Sequence, residues 1–201
     1  MNPRPRAARL RPDARREQLL AHALAMFAER GLGAARHSDL ALRSAVSLPT
    51  TLHYFPSLDA LRGEILREVS RFLLEDVLAA ASRRHPRASD ALIATLLGFE
   101  DAIDTHPNHV RIWLEWSVAV RGALWPSYLD FRAGALAGVK QLLTRGKRQG
   151  CIRREVDTGD AAQVIVSLAH MIVQMKFAGS SRSQVAHAVR SLVMGYLAQE
   201  P

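Results

Sequence analysis

The side chains best suited to act on a partner lie in residues 38–55, SDLALRSAVSLPTTLHYF. A short helical segment, a turn at Ala45-Val46-Ser47 and a second short segment, LPTTLHYF, form a helix-turn-helix pattern there. A helix of about seven residues does not persist alone. Leu40, Val46, Thr51 and Phe55 must therefore hold it against neighbours. That packing leaves Leu48, Pro49, Thr50 and His53 free to enter a DNA major groove. Thr50 and His53 can hydrogen-bond bases or phosphates, and Leu48 and Pro49 suit thymine methyls. Upstream, six arginines and one acid fall between Arg4 and Arg16. Arginines on a proline-tethered tail can reach a neighbouring minor groove, above all a narrow A·T tract. The pattern alone also describes a plain αα-corner of a helical bundle; the arm tips the balance towards DNA.

Elements on either side must position this segment. From Asp13 the pattern is helical, with Leu20, Ala23, Leu24 and Phe27 at i, i+3, i+4 and i+7. Gly31 and Gly33 stop it. Ser47 is the expected N-cap of the second short helix, and Pro49 is tolerated in its first turn. Pro56 ends that helix. Ser57, with Asp59 behind it, caps a long helix to about Arg84. Further helices are expected at about 89–104, 108–121, 126–149, 157–178 and 182–199, separated by breakers such as His85-Pro86, His106-Pro107 and Trp125-Pro126. No run of alternating β-branched residues reads as a strand. The expectation is an all-α protein of nine helices: a flexible basic arm (1–12), a helix-turn-helix DNA-binding domain (13–60) and a helical ligand-binding and dimerisation domain (61–201).

Composition narrows the function classes. The chain has 201 residues, 48% of them hydrophobic and 23% charged, with a net charge of +8. A basic globular protein favours anionic partners. The single cysteine, Cys151, rules out an intrachain disulfide and a cysteine-rich zinc ribbon, and suits a reducing, cytoplasmic setting. No secretory apolar stretch is evident at the N-terminus. The longest apolar run, about 15 residues from Ala161, carries Gln163, Ser167, His170 and Gln174, so no membrane span is expected.

RREQLLAHALAMFAERG followed by SDLALRSAVSLPTTLHYFPSLDAL resembles the DNA-binding domain of TetR-type transcriptional regulators. The chain resembles more closely the quorum-sensing master regulators of the LuxR/HapR/SmcR group, from Arg4 to about Phe177. The PRPRAARLRP arm, HSDLA at His37–Ala41, YFPS at Tyr54–Ser57 and WLEWSVAVRGALWP at Trp113–Pro126 carry that likeness. The resemblance implies a nine-helix TetR-like homodimer on a pseudo-palindromic operator. It implies that Arg4, Arg6 and Arg9 enter the minor groove, that Ser47, Thr50, His53 and Tyr54 face DNA, and that Ser57 offers a backbone N–H to a phosphate. There are departures. Ala45 stands where the wider family usually has glycine. Leu52 replaces an aromatic residue, commonly a phosphate-contacting tyrosine, and Leu58 a usual lysine or arginine.

The remainder shows no catalytic constellation. Glu115 is the only acid in the tryptophan-rich helix and has no evident carboxylate partner, so no enzyme activity is expected. Trp113, Trp116 and Val120 recur at helical spacing. The resemblance implies a cavity here, for which Leu78, Phe99, Leu114, Trp116, Leu136, Leu168 and Met171 are the apolar candidates. Ser117, Gln141, Ser167 and His170 are the candidate polar anchors of a small apolar ligand. Two stripes, Val164/Leu168/Met171/Met175 and Val185/Val189/Leu192/Val193/Tyr196, are amphipathic; in a TetR-like protein two such helices form a dimer interface. A twofold dimer sets recognition helices roughly 34–36 Å apart. No cofactor or metal is expected: His106 and His109 read as a surface pair. Cys151 reads as an incidental thiol in a basic, solvated loop. The reading is thus a DNA-binding regulator. The alternatives are a local repressor of an efflux or catabolic operon, a helical metabolite-binding protein or enzyme, and a helical interaction protein with a basic tail.

Overall fold

A computed structural model describes residues 11–120 and 122–198. Nine helices occupy them. They are α1 (Pro12–Arg30), α2 (His37–Arg43), α3 (Leu48–Tyr54), α4 (beginning Leu58–Arg71), α5 (Ala88–Thr105), α6 (Pro107–Val118), α7 (Trp125–Arg148), α8 (Thr158–Phe177) and α9 (Arg182–Leu197). Helix α4 continues without a break through a π-helical stretch, Phe72–Ala79, into a last turn, Ala80–Arg84. The only β pairing among the described residues is a single antiparallel bridge between Ile152 and Ala198.

Local chemistry sets the boundaries. Ser47 Oγ accepts from the Thr50 N–H (3.3 Å) and Ser57 Oγ from the Ala60 N–H (3.1 Å). Asp157 Oδ1 accepts from the Gly159 and Asp160 N–H groups at the start of α8. Ser181 and Gln184 cap α9 reciprocally. Each such cap satisfies donors that lack intrahelical partners. Two sequence expectations fail in register. On α1 the buried stripe is Leu19, Ala23, Met26 and Phe27, while Leu20 and Leu24 are half-buried. Ala23 and Phe27 keep their expected places, while Leu19 and Met26 are buried instead of Leu20 and Leu24. Helix α6 stops at Val118, where the Ala119 N–H turns back to the Trp116 carbonyl, and Val120 is left exposed.

The backbone divides into two compact units, the first ending at Arg67 and the second starting at Glu68. Leu19, Phe27, Leu40, Phe55, Leu61 and Ile65 form the core of the first. In the second, α7 packs on α8 and α5 packs on both α7 and α9, around Leu92, Ile112, Trp116, Leu143, Ile172 and Val189.

The turn between α2 and α3 holds Ala45 at φ +53°, the one non-glycine in the left-handed region among the described residues. An L-residue pays about 1–2 kcal/mol for that conformation. Glycine avoids the strain but loses about 0.5–1 kcal/mol more entropy on folding. Ala45→Gly is therefore expected to stabilise the first unit by about 0.5–1 kcal/mol. A rise in urea midpoint checks this; an unchanged or lower midpoint refutes it.

Candidate functional site

The short helix α3 is anchored along one side. Thr51 is fully buried and its hydroxyl donates to the Leu48 carbonyl (2.8 Å). Leu40 and Phe55 are buried with it. The Phe55 carbonyl accepts from His37 Nε2 (2.8 Å), and the Arg16 guanidinium lies 5.5 Å from the Phe55 ring centre. Val46 is only half-buried. Sequence reasoning missed three further anchors. Ser44 is buried and bonded to His22 Nδ1 (2.9 Å). Arg43 forks onto both Glu29 oxygens (2.6 and 2.7 Å), tying α2 to α1. The buried Ala41 completes the contact.

The other side of α3 is open. Leu48, Pro49 and His53 are exposed, Thr50 and Tyr54 half-buried. The Ser47 and Thr50 hydroxyls share a hydrogen bond (2.8 Å), so both lie at the entrance of α3. Ser57 is exposed at the start of α4. Arg4, Arg6 and Arg9 lie outside the described residues. Leu52, read from the sequence only as a lost phosphate contact, is 40% exposed one turn beyond Leu48, itself 43% exposed. The i, i+4 spacing was the signal that places the two on one face. Polar and apolar groups together thus offer hydrogen bonding and methyl-sized contacts on a protruding surface.

The second unit holds a partly open cavity of about 100 Å³. Leu78 and Phe99 line it as expected, with Trp113, Tyr128, Phe131, Arg132, Ser167 and His170. Leu114, Trp116, Leu136, Leu168 and Met171 do not line it. Trp116 lies behind, 5.6 Å from Tyr128 and 5.5 Å from Phe131 between ring centres, with Nε1 donating to the Leu124 carbonyl. Leu168 and Met171 belong to the adjacent, half-buried stripe of α8, whereas Ile165 and His170 turn inward. Gln141 lines an outer groove instead.

Ser117 supports the cavity indirectly. Its hydroxyl donates to the Leu114 carbonyl (2.8 Å), so its lone pair receives the His170 Nε2–H (2.9 Å). That arrangement fixes the Nε2–H tautomer and leaves Nδ1 as an acceptor. Burial holds the His170 pKa below the ordinary histidine value, with Arg132 pushing the same way. The native state therefore resists protonation more than the unfolded chain does. The stability this contributes is complete above about pH 6.5 and is lost as pH falls through the lowered native pKa. A falling urea midpoint below pH 6.5, flatter in His170→Leu, is the expected result; identical profiles for both proteins refute it.

His106 and His109 both stack on Phe72, at 4.5 and 4.6 Å, and His109 lies 3.7 Å from Glu68. Among the described residues no group of three or more potential ligands surrounds a metal position. Cys151 is buried. Its surroundings are less solvated than their charge implied. Arg145 donates to the Ser82 and His85 carbonyls, Lys147 to that of Arg154, and Arg153 to those of Gly195 and Tyr196. Another cluster has no signal in the sequence: Glu100 is 1% exposed and meets Lys176 Nζ at 2.9 Å and Arg182 Nε at 3.7 Å. Lys176 also bonds Asp104 (2.8 Å) and Arg182 bonds Asp101 (2.6 Å). No helix among the described residues is long and apolar enough to cross a membrane.

Comparison with known proteins gives the geometry its relatives. No family model matches the chain. It is 30% identical over 198 residues to the HTH-type transcriptional regulator LuxR of Vibrio harveyi, covering 96% of this chain and 92% of that protein. It is 26% identical over 196 residues to the HTH-type transcriptional repressor KstR2 of Mycobacterium tuberculosis, covering 94% and 95%. The solved structure of that ketosteroid regulator superposes with a TM-score of 0.71 at 23% identity, over 94% of this chain and 98% of that one. The regulator FadR of Bacillus subtilis, in complex with stearoyl-CoA, superposes with a TM-score of 0.75 at 18% identity, over 88% and 96%.

Proposed function

The chain belongs to the TetR family of transcriptional regulators, and on that premise we propose that it acts as a homodimer on a pseudo-palindromic operator, α3 of each protomer entering the major groove of one half-site. It is a DNA-binding transcriptional regulator of this type. The observation that carries the finer reading is the division of α3, with Thr51 and Phe55 buried and Leu48, Pro49, Leu52 and His53 exposed. His53 and Thr50 hydrogen-bond base edges or phosphates, Leu48 and Pro49 touch thymine methyls, and Ser47, Tyr54 and Ser57 sit beside the backbone. Arg4, Arg6 and Arg9 reach the flanking minor groove. The proposed functional division is an arm (1–12), a DNA-binding domain (13–60) and a regulatory and dimerisation domain (61–201); the compact units part slightly later, after Arg67, so that Leu61 and Ile65 pack with the first.

Support for a dimer comes from apolar residues left exposed on α8 and α9: Val164, Leu192, Met194 and Tyr196. A surface of that kind suits a self-complementary contact between twofold mates. Support for a ligand comes from the largely apolar cavity and from the stearoyl-CoA held by FadR. Such a ligand acts through the difference between its affinities for the operator-competent and operator-incompetent arrangements.

His53→Ala is expected to weaken operator binding about ten- to hundredfold, the range of one specific base contact. Thr50→Ala weakens it less, since its hydroxyl is shared with Ser47. Deleting residues 1–11 flattens the slope of log affinity against log salt by about two to three, at about 0.9 per neutralised phosphate. Helical circular dichroism stays unchanged in all three. Wild-type affinity and slope in every variant would remove DNA readout from this segment. The regulon follows from enriching sheared genomic DNA on the protein at roughly 150 mM salt, where plain charge attraction is screened. A short pseudo-palindrome supports the dimer. Neighbouring genes that follow cell density support a quorum-sensing role, and an adjacent efflux or catabolic operon supports a local repressor.

A further inference from the structure

The cavity lined by Phe99 and Trp113 has a neighbour. A second space of about 540 Å³ opens between α4 and α7. Leu74 and Leu78 line both spaces and so form the partition between them. Across α7 from these leucines stand Gly134 and Gly138. A Cβ at Gly138 would lie 2.6 Å from Leu78 Cδ2, and one at Gly134 3.1 Å from Leu74 Cδ1. The partition is therefore two leucine tips resting on bare backbone, in a π-helical stretch of α4.

Charge is one-sided across both spaces. Arg83, Arg145 and Arg148 rim the groove, Arg132 lines the cavity, and no carboxylate lines either. Arg145 is held by the Ser82 and His85 carbonyls while its buried Nε has no hydrogen-bond partner. The larger groove of about 740 Å³ on another face of α4 differs: Asp76, Asp90 and Asp101 line it beside Arg84 and Arg190. An anion is favoured only in the first pair of spaces.

We propose that groove and cavity are two halves of one site for a single-chain amphiphile with an anionic head. The head sits on Arg83, Arg145 and Arg148. The tail passes the Leu74–Leu78 partition and lies among Phe99, Trp113 and Phe131. The partition yields because leucine tips change rotamer at little cost compared with backbone. The cavity alone is too small for such a chain, since ligand pockets usually span about 300–1,000 Å³; joined to the groove it reaches that range. This inference rests on the reading of the chain as a ligand-responsive regulator and replaces its small apolar ligand by an amphiphilic one.

The test uses a terminally brominated undecanoate and the matching alcohol, with the full chain and no DNA. Bromine quenches tryptophan fluorescence on contact, and Trp113 lines the cavity. The acid is expected to quench and to bind at least about tenfold tighter than the alcohol, the scale of one charge-assisted hydrogen bond. Joint Arg83→Ala and Arg148→Ala replacement removes that preference, and Trp113→Phe removes most of the quench. Both arginines are exposed, so the fold survives their loss. Equal binding of acid and alcohol, acid binding untouched by the arginine changes, quenching that persists without Trp113, or no binding at all overturns the proposal. Operator release is measured separately. Acid that binds in the cavity but leaves operator affinity unchanged overturns ligand response and not the site; absent acid binding with intact operator affinity overturns the site and not the DNA reading.

Discussion

Lys176→Met is expected to destabilise the protein by about 3–5 kcal/mol, the cost of leaving one charge of a buried pair without its partner. Glu100 is 1% exposed, and Lys176 supplies its close ion pair at 2.9 Å. Its second oxygen has no hydrogen bond and only Arg182 nearby, at 3.7 Å. Arg182 is itself committed to Asp101 at 2.6 Å. The methionine keeps the length and packing of the lysine stem, so the loss is electrostatic. The asymmetry of buried pairs supplies a control. Removing both charges, as Glu100→Leu with Lys176→Met, is expected to recover most of the stability, because two apolar groups need no partner. Urea unfolding of the single and double variants decides. A single variant within about 1 kcal/mol of the parent would mean that the Glu100 carboxylate draws little of its stability from Lys176.

Phe55→Ala carries the second large effect. Truncating a fully buried phenylalanine costs about 3–5 kcal/mol. Phe55 also closes α3, takes a hydrogen bond from His37 on its carbonyl and lies under the Arg16 guanidinium. A core of this size has little margin, since a domain of about 60 residues is marginal even when complete. Amides of α2 and α3 are expected to lose hydrogen-exchange protection and operator binding to disappear, while amides of α7 and α8 keep theirs. Uniform loss of protection along the chain would show that the two units unfold as one.

Much of this architecture is legible in the sequence because helices announce their ends. Ser47, Asp157, Ser181, Pro56, Pro86 and Pro107 all fall at helix boundaries that the structure keeps. The helix-turn-helix was readable because three apolar residues and Thr51 had to point one way. The cavity was less so. Periodicity identifies which residues of α8 share a face, but not whether that face meets a wall, a void or the exterior, and Leu168 and Met171 were assigned to the wrong one. The Glu100 cluster had no local signal at all. An acid on an amphipathic helix ordinarily faces solvent; only Lys176, 76 residues further along the chain, reveals otherwise.

The π-helical stretch makes α4 discontinuous in phase. The buried stripe of α4 runs through Leu61, Ile65, Val69, Phe72 and Leu73, and next reappears at Leu78. A uniform helix would place it at Asp76 or Val77, yet Asp76 is exposed and Val77 only half-buried. A helical wheel at about 100° per residue therefore describes the residues before Leu74 and those after Val77 separately, but not both together. The stretch behaves as one supernumerary residue absorbed into the helix. Removing any one residue between Leu74 and Val77 would therefore restore a uniform α-helix and leave the side chains from Leu78 to Arg84 on the faces they now occupy.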